Sequence, residues 1–300
     1  MKKKCCILLA VLCMLCLFGC GEDEPAVTAR RKTVTDVLLP EWPEEVVYSS
    51  DVVSIDASRT RDGYISVRYS GEVPKVKLQI TIPSGTVYTY TMKTGNYEVF
   101  PLQGGNGSYH VDVYENAYDK MYALAFSQQI DVILDNEFSP YLYPNQYVWY
   151  TADSRVYPEA RRLSGESADD LDSVKHVYDY MIENVTYDHA LAESVQSGYL
   201  PVVDRTLSTK TGICFDYAAL MTSLLRVQGI PTKLVIGYSG ELYHAWIDVY
   251  LKEEGWVNKI IYFDGHSWSL MDPTLGANAS SSKVKKYVGD GSHYTEKFHY

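Results

Sequence analysis

The chain has 300 residues, of which 46% are hydrophobic and 22% are charged, and its formal net charge is −11 at pH 7. At ~150 residues per domain this length predicts about two domains, and the composition is that of a globular protein rather than a disordered one. The acidic balance, with no stripe of Lys and Arg, argues against nucleic acid as a partner. Five of the six cysteines lie in the first twenty residues, which leaves Cys214 alone in the body of the chain and excludes a disulfide framework there.

The first residues have the pattern of an export signal. Three lysines, Lys2 to Lys4, precede an apolar run at 7–18. As a helix this run rises only ~18 Å, which is too short for the ~30 Å core of a bilayer. The sequence LFGC at 17–20 resembles a bacterial lipobox, which implies cleavage after residue 19 and a lipid on Cys20. An ordinary secretory signal, which would release the protein, is the alternative.

Residues 20–40 are then a tether, and we expect the protein to be exported and anchored to the cell membrane on its extracytoplasmic side. Gly21 to Lys32 is mostly polar and includes a proline and the basic triplet at 30–32. Such a composition suits a flexible link between a membrane and the first domain.

From 41 to 136 the sequence alternates between apolar and polar residues. The clearest case is 75–82, where Val76, Leu78, Ile80 and Ile82 alternate with polar side chains, as on a half-buried strand. Similar runs, separated by turn formers, lie at 65–69, 87–92, 109–114, 122–126 and 130–134. Six or seven strands in ninety residues predict an antiparallel β-sandwich with an immunoglobulin-like layout. Nothing in this domain points to catalysis.

Residues 137–300 change to a mixed pattern that predicts an α+β domain. A helix is expected to open at Ser167, with Asp170 completing a capping box, and to end near Asn184. A second helix is expected from about Ile213 to a stop at Gly229. Strands are expected at 234–238, 243–250 and 268–271, so helices come first and strands follow.

Cys214 lies at the expected start of the second helix. Unpaired backbone N–H groups and the helix dipole favour an anion there, and they lower the pKa of a thiol toward the reactive thiolate. A lone cysteine buried in a core helix would have the same position without any reactivity, so the position alone does not settle a catalytic role.

Three sequence blocks resemble the core motif of the transglutaminase-like superfamily. The first is TGICFDYA at 211–218, followed by RVQGIP at 226–231 and GY at 237–238. The second is YHAWIDVY at 243–250, and the third is WSLMDPT at 268–274. The blocks stand in the order of the family, and the resemblance covers roughly residue 138 to the end of the sequence.

The resemblance implies a papain-like site in which Cys214 is the nucleophile, His244 the general base and Asp272 the residue that orients the imidazole. The residue types agree with these roles, because a cysteine nucleophile needs a base within hydrogen-bond reach and a third group to fix that base. Asp248 is an alternative orienting group. The backbone N–H of Cys214 is the first expected oxyanion donor, and Tyr187 is a candidate for the second unless it only packs after the first helix.

The sequence shows no metal-ligand spacing, phosphate loop or dinucleotide motif, so we expect neither a metal nor a cofactor. The main hypothesis is an extracytoplasmic cysteine hydrolase, a peptidase or amidase, that forms a thioester at Cys214 on a protein or wall-peptide substrate. A transglutaminase that cross-links proteins is one alternative. A surface binding or adhesion lipoprotein, in which the sandwich does the work, is the other.

Overall fold

The structure, a computed structural model, describes residues 31, 34, 36–165, 167–257, 261–263, 268–270 and 294–300. The predicted signal at 1–19, Cys20 and Asp272 lie outside the described residues, as does most of the predicted tether. Side-chain surroundings are described up to Val257 and again from Tyr294.

Residues 47–132, all of which are described, form two four-stranded antiparallel sheets, in the orders β1-β2-β3-β6 and β5-β4-β7-β8. The alternation seen in the sequence produces them: along β4 each odd position is half-buried and each even position is buried. The strands are β1 (Val47–Ser49), β2 (Val53–Asp56), β3 (Tyr64–Tyr69), β4 (Val76–Thr81), β5 (Val87–Met92), β6 (Glu98–Pro101), β7 (Gly107–Tyr118) and β8 (Met121–Val132).

The two sheets share one apolar core. Tyr90 of β5 and Phe100 of β6, which belong to different sheets, have ring centroids 4.8 Å apart in an edge-on contact. Buried residues of both sheets belong to one hydrophobic cluster. The immunoglobulin-like layout of these sheets stays a prediction.

Two details of this region differ from the sequence prediction. The runs at 122–126 and 130–134 are one strand, because the polar residues between them stay extended and pair with β7, as Ser127 does with Asp112. The short strands β1, β2 and β6 were not among the predicted runs. Strands of three or four residues are too short to show a clear alternation.

The rest of the described chain is a mixed α+β arrangement, as predicted. Its main sheet is antiparallel in the order β13-β12-β11-β16, and helices precede its strands along the chain. The helices are α1 (Val156–Ser164), α2 (Asp170–Asn184), α3 (His189–Ser194), α4 (Val203–Thr209) and α5 (Cys214–Val227). The strands are β9 (Thr186–Tyr187), β10 (Thr211–Gly212), β11 (Thr232–Ser239), β12 (Leu242–Leu251), β13 (Gly255–Val257), β14 (Ile261–Phe263), β15 (Trp268–Leu270) and β16 (Tyr294–His299).

Helix α2 begins two residues later than the sequence predicted. Its N-cap is Asp169, whose carboxylate accepts a hydrogen bond from the backbone N–H of Asp172 at 2.8 Å. Ser167 is instead buried, and its hydroxyl donates to the carbonyl of Leu163 at 3.2 Å. The proposed capping box at Ser167 and Asp170 is therefore wrong, because the preceding helix binds the serine hydroxyl.

Among the described residues, no helix combines the length and the apolar character that crossing a membrane requires.

Helix α5 lies in the middle of this region, between the other helices and the sheet. All its residues from Asp216 to Val227 are buried, as expected for a helix covered on every side. The predicted core positions Ala218, Met221, Leu224 and Leu225 are confirmed as buried. Helix α5 therefore carries Cys214 at one end of the core rather than on an exposed surface helix.

Arg226, in the last turn of α5, is buried and binds three backbone carbonyl groups. Its guanidinium donates to the carbonyl of Thr232 at 2.8 and 3.0 Å, of Tyr143 at 2.6 Å and of Tyr300 at 2.7 Å. Burial lowers the pKa of Arg226 to about 10, so the group stays charged at neutral pH. One side chain thus joins the helix to the segment before α1, to β11 and to the residue after β16.

We expect Arg226→Ala to destabilise the fold strongly. It would remove the guanidinium donor that three carbonyl groups share, of which only that of Tyr300 is known to keep another donor, the N–H of Leu234. This should lower the free energy of unfolding by about 3 kcal/mol or more. Arg226→Lys should recover only part of this loss, because one ammonium group cannot reach all three carbonyls.

Urea denaturation of purified residues 31–300 measures this effect. Arg155→Met is a matched control, because Arg155 is exposed at the start of α1. A loss for Arg226→Ala no larger than that of the control would contradict the role given to Arg226.

Candidate active site

Cys214 is the first residue of α5, and one residue, the N-cap Ile213, separates it from β10. Strand β10 pairs in parallel with β9, and the N–H of Asp188 donates to the carbonyl of Gly212 at 2.9 Å. Gly212 is required there, because a Cβ at this position would lie 2.6 Å from the Cβ of Asp216. The thiol is partly exposed and unpaired, at the end of a helix where backbone N–H groups favour an anion.

Asp216 holds the first turn of α5 in place. Its side chain is 1% exposed, and its carboxylate accepts hydrogen bonds from the N–H of Ile213 at 3.0 Å and from the hydroxyl of Tyr199 at 2.7 Å. Arg205 lies 3.9 Å from the same carboxylate and also donates to the hydroxyl of Tyr199. Burial raises the pKa of Asp216, whereas these hydrogen bonds act in the opposite direction.

His244 lies near the start of β12, opposite Gly237 of β11, and is 7% exposed. Its ring centroid is 6.5 Å from that of Trp246 and 6.2 Å from that of Tyr294. A Cβ at Gly237 would lie 2.1 Å from the backbone oxygen of Thr295 on β16 and 2.7 Å from Cη2 of Trp246, so the glycine lets both the strand and the indole ring approach.

The two faces of β12 have different neighbours. Ala245, Ile247 and Val249 belong to the apolar cluster that contains α5, and alternation puts His244 and Trp246 on the other face. His244 therefore shares its face of β12 with Trp246, next to the ring of Tyr294 of β16.

Cys214 and His244 line one cleft of about 540 Å³. Tyr187, Tyr199 and Tyr243 line it too. Burial raises the pKa of Tyr243, with smaller contributions from Tyr238 and Cys214. Of the histidines within the described ranges, His244 alone lines this cleft.

The structure therefore brings together three of the residues that the sequence analysis singled out, Cys214, His244 and Tyr187. Asp272 lies outside the described residues, so its predicted role stays a prediction. Asp248, the alternative orienting group, is buried four residues beyond His244 on β12. Four residues of strand span ~13 Å, too far for a direct hydrogen bond between the two side chains.

Sequence analysis missed several residues around the cleft. Tyr199 and Arg205 lie in the segment before the first family block, outside the motif itself, and meet Asp216 only in the folded chain. Tyr147 packs on Phe215 with ring centroids 5.4 Å apart, and on Tyr300 at 4.5 Å. One feature of the sequence pointed to part of these surroundings: Asp216 and Tyr243 each lie within two residues of Cys214 or His244, the predicted catalytic pair.

Within the described ranges, no three His, Cys, Asp or Glu side chains form a group that could hold a metal ion.

Residues 159–259 match the family model of the transglutaminase-like superfamily, and this match includes both Cys214 and His244. This part of the chain is a core domain of the transglutaminase-like superfamily. Members of the superfamily are typically cysteine peptidases or acyltransferases. The match ends before residue 272 and leaves the two N-terminal sheets outside.

Three curated relatives are similar over parts of the chain. The uncharacterized protein YebA of Bacillus subtilis is 31% identical over 122 residues, which is 34% of this chain and 17% of that protein. Human kyphoscoliosis peptidase is 26% identical over 150 residues, 46% of this chain and 21% of its own. A protein-glutamine gamma-glutamyltransferase of Pseudomonas aeruginosa is 35% identical over 71 residues, 19% of this chain and 11% of its own. The matched segments are about a fifth or less of each relative's length.

Asp216→Ala should destabilise the protein by about 1–3 kcal/mol, because the N–H of Ile213 and the hydroxyl of Tyr199 would lose their acceptor inside the fold. Thermal unfolding monitored by circular dichroism gives the difference. Asp179→Ala is the matched control, since Asp179 is a partly exposed helical carboxylate paired with Lys175, and its loss should cost only about 0.5 kcal/mol. Equal losses in the two variants would show that Asp216 does not hold the turn.

Proposed function

We propose that this protein is an extracytoplasmic cysteine hydrolase, a peptidase or amidase, that acts on a protein or wall-peptide amide through a thioester at Cys214. The observation that carries the proposal is that Cys214, at the N-terminus of α5, and His244, on β12, line the same cleft. A cysteine and a histidine in one cleft are the minimum pair for nucleophilic catalysis by a thiol.

The proposed reaction begins when His244 takes the proton of the Cys214 thiol. The thiolate attacks the carbonyl carbon of the substrate, a C–S bond forms, and the carbonyl oxygen becomes an oxyanion. The C–N bond then breaks as His244 gives its proton to the departing amine, which leaves a thioester on Cys214. Water attacks the thioester with His244 again as base, and the acid leaves as the thiol is restored.

The start of α5 supports two parts of this mechanism. Backbone N–H groups at a helix N-terminus favour an anion, and we assign the first oxyanion contact to the backbone N–H of Cys214. We assign the second oxyanion contact to the hydroxyl of Tyr187, which lines the cleft from β9, next to the strand that leads into Cys214. Asp272 is proposed to orient the His244 ring.

We also propose that residues 1–19 are a cleaved signal, that Cys20 carries a lipid and that 20–40 tether the protein to the membrane. This part of the proposal is supported by the basic, apolar and LFGC pattern of the sequence alone.

The N-terminal sheets are proposed to be an immunoglobulin-like sandwich. One sheet has the order β1-β2-β3-β6 and the other the order β5-β4-β7-β8. The chain therefore passes from the first sheet to the second between β3 and β4, returns to the first for β6, and passes back to the second at β7. Such changes of sheet are characteristic of Greek-key sandwiches.

A protein cross-linking transglutaminase is the second candidate. It is favoured by the 35% identity to the Pseudomonas protein-glutamine gamma-glutamyltransferase over 71 residues. The two candidates share every step up to the thioester and differ only in whether water or an amine attacks it.

The nucleophile can be tested with iodoacetamide. At pH 7 we expect Cys214 to be alkylated at least about tenfold faster than free cysteine, because a histidine in the same cleft can take the thiol proton. His244→Ala should bring the rate close to that of free cysteine, and Cys214→Ala should abolish labelling, as measured by intact mass spectrometry. His110→Ala is the control, since His110 is exposed on β7. If Cys214 reacts no faster than free cysteine, the proposed mechanism is wrong.

The fate of the thioester decides between hydrolysis and cross-linking. With a glutamine-containing donor protein and a fluorescent primary amine, a hydrolase should release ammonia and incorporate little amine. Incorporation that approaches the ammonia released would instead establish the transglutaminase. Cys214→Ala should neither release ammonia nor incorporate the amine. This control shows whether either activity comes from a contaminating enzyme.

A further inference from the structure

Strand β5 forms part of the wall of the cleft that holds Cys214 and His244, although it lies outside the transglutaminase-like core. Thr89 and Thr91 of β5 line this cleft together with those two residues. Along β5 each odd position is exposed and each even position is buried. The exposed positions of β5 that border the cleft are therefore two short hydroxyl side chains.

Strand β5 is an edge strand. It is the first strand in the sheet β5-β4-β7-β8, and among the described residues only β4 pairs with it. Its sequence, VYTYTM, contains neither a charged residue nor a proline. Charged residues and prolines are common devices that prevent an edge strand from pairing with another chain. The free edge of β5 can therefore accept one further strand.

Two hydrogen bonds of β4 and its flanking residues show which backbone groups of this sheet face β5. In an antiparallel sheet the N–H and the C=O of one residue point to the same side, and successive residues alternate. The N–H of Asn116, beside β4, donates to the carbonyl of Lys75 at 3.0 Å. The N–H of Ile82 donates to the carbonyl of Thr86, just before β5, at 3.0 Å. Odd residues along β4 therefore bond to β7, and even residues bond to β5.

The backbone groups of Thr89 and Thr91 consequently point to the free edge. Even residues of β5 pair with even residues of β4, as Tyr90 does with Leu78, and their backbone groups are used there. At the edge, the side-chain amide of Gln146 donates to the carbonyl of Thr91 at 2.8 Å, as the N–H of a further strand would. Among the described residues, no backbone group bonds to the backbone of Thr89 at this edge.

The free edge of β5 faces the side on which the nucleophile's helix begins. Gln146, which binds this edge, is followed by Tyr147, whose ring packs on that of Phe215 with centroids 5.4 Å apart. Phe215 follows Cys214 in the first turn of α5. All four of these residues line the cleft, as Thr89 does. A chain that lies along the free edge of β5 therefore lies in the cleft of Cys214.

We propose that β5 binds the main chain of the substrate as an added strand, through the N–H and the C=O of Thr89. The substrate class is then an extended segment of a polypeptide, which is bound by its main chain as well as by its side chains. The inference rests on the proposed function, in which a substrate amide is held at Cys214. It also gives the N-terminal sheets a role in substrate binding, because this donor and this acceptor come from outside the core domain.

The test uses short peptides that alkylate Cys214 and so report binding in the cleft without requiring hydrolysis. One set carries an N-terminal iodoacetyl group and the other a C-terminal chloromethyl ketone, so that both sides of the reacting atom are sampled. Alkylation forms a C–S bond to the thiolate as iodide or chloride leaves. In each set one backbone N–H at a time is replaced by N-methyl, which removes a donor and blocks strand pairing there. At about pH 8.5 even an ordinary thiol is partly ionised, so Cys214 reacts whether or not His244 activates it.

Thr89→Pro removes the edge N–H of residue 89. Pairing with β4 should persist, because it uses the backbone of Tyr88 and Tyr90, and proline is tolerated in an edge strand where the N–H points outward. Val87→Pro is the matched control, since Val87 is exposed at another odd position of β5 and is not among the described residues that line the cleft. Thr89→Val is a second control that keeps the N–H and removes only the hydroxyl.

The second-order rate is measured by mass spectrometry of the fragment that contains Cys214 and divided by the rate of the same variant with iodoacetamide or chloroacetamide. In the natural protein we expect N-methylation at one position at least to lower this normalised rate about fivefold to thirtyfold, as for one or two lost hydrogen bonds. Thr89→Pro should lower the rate of the unmethylated peptide by a similar factor. Methylation at the same position should then lower it by less than about twofold more, because the two changes remove one shared contact. Val87→Pro and Thr89→Val should behave like the natural protein.

Equal normalised rates for every N-methyl peptide, or a methylation effect that stays the same in Thr89→Pro, would overturn the inference. An equal loss in Val87→Pro would also overturn it, because proline would then act through the strand as a whole rather than through a contact at Thr89. A failure of the proposed function appears in the iodoacetamide rate itself, whereas a failure of the inference appears only in the normalised rates.

Discussion

The hydrogen bonds of the buried guanidinium of Arg226 are the interaction on which the arrangement of the second half depends. They join the last turn of α5 to the carbonyl groups of Tyr143, Thr232 and Tyr300. A charge buried this deeply is tolerated because carbonyl oxygens accept hydrogen bonds from the guanidinium N–H groups. Since these carbonyls belong to three separate parts of the chain, the helix end fixes where those parts meet, and the opposite end of the same helix carries Cys214.

Each end of α5 is therefore held in place by a buried charged side chain. One end is held by a buried cation, and the other by the buried carboxylate of Asp216, which binds the N–H of Ile213 and the hydroxyl of Tyr199. The first contact orders the sheet and the aromatic residues around it. The second orders the segment 195–200 that borders the cleft. A thiol placed at such an end has little freedom to move away from its cleft, which suits the proposed mechanism because that mechanism depends on orientation.

Strong local patterns were predicted well, and weak ones were not. The alternation at 76–82 and the apolar spacing from Ala218 to Leu225 correspond to β4 and α5, because these segments bury one face or all faces. Helices α3 and α4 have six and seven residues and no clear apolar stripe, so the sequence analysis did not find them. The start of α2 was misplaced because Ser167 and Asp169 are equally good caps, and only packing against α1 decides between them.

The sequence by itself determined the family resemblance, the mixed fold class and the pair Cys214 and His244, because these follow from residue types in a local order. Only the tertiary structure decided which other residues share their cleft. Lys77 and Tyr147 lie far from the motif along the chain, and Tyr199 lies in the segment before its first block. The positions of all three follow from packing between separate elements, which local periodicity does not record. Tertiary packing also brings the outer face of the N-terminal sheet to the cleft, where the sequence had indicated only a β-rich domain with no part in catalysis.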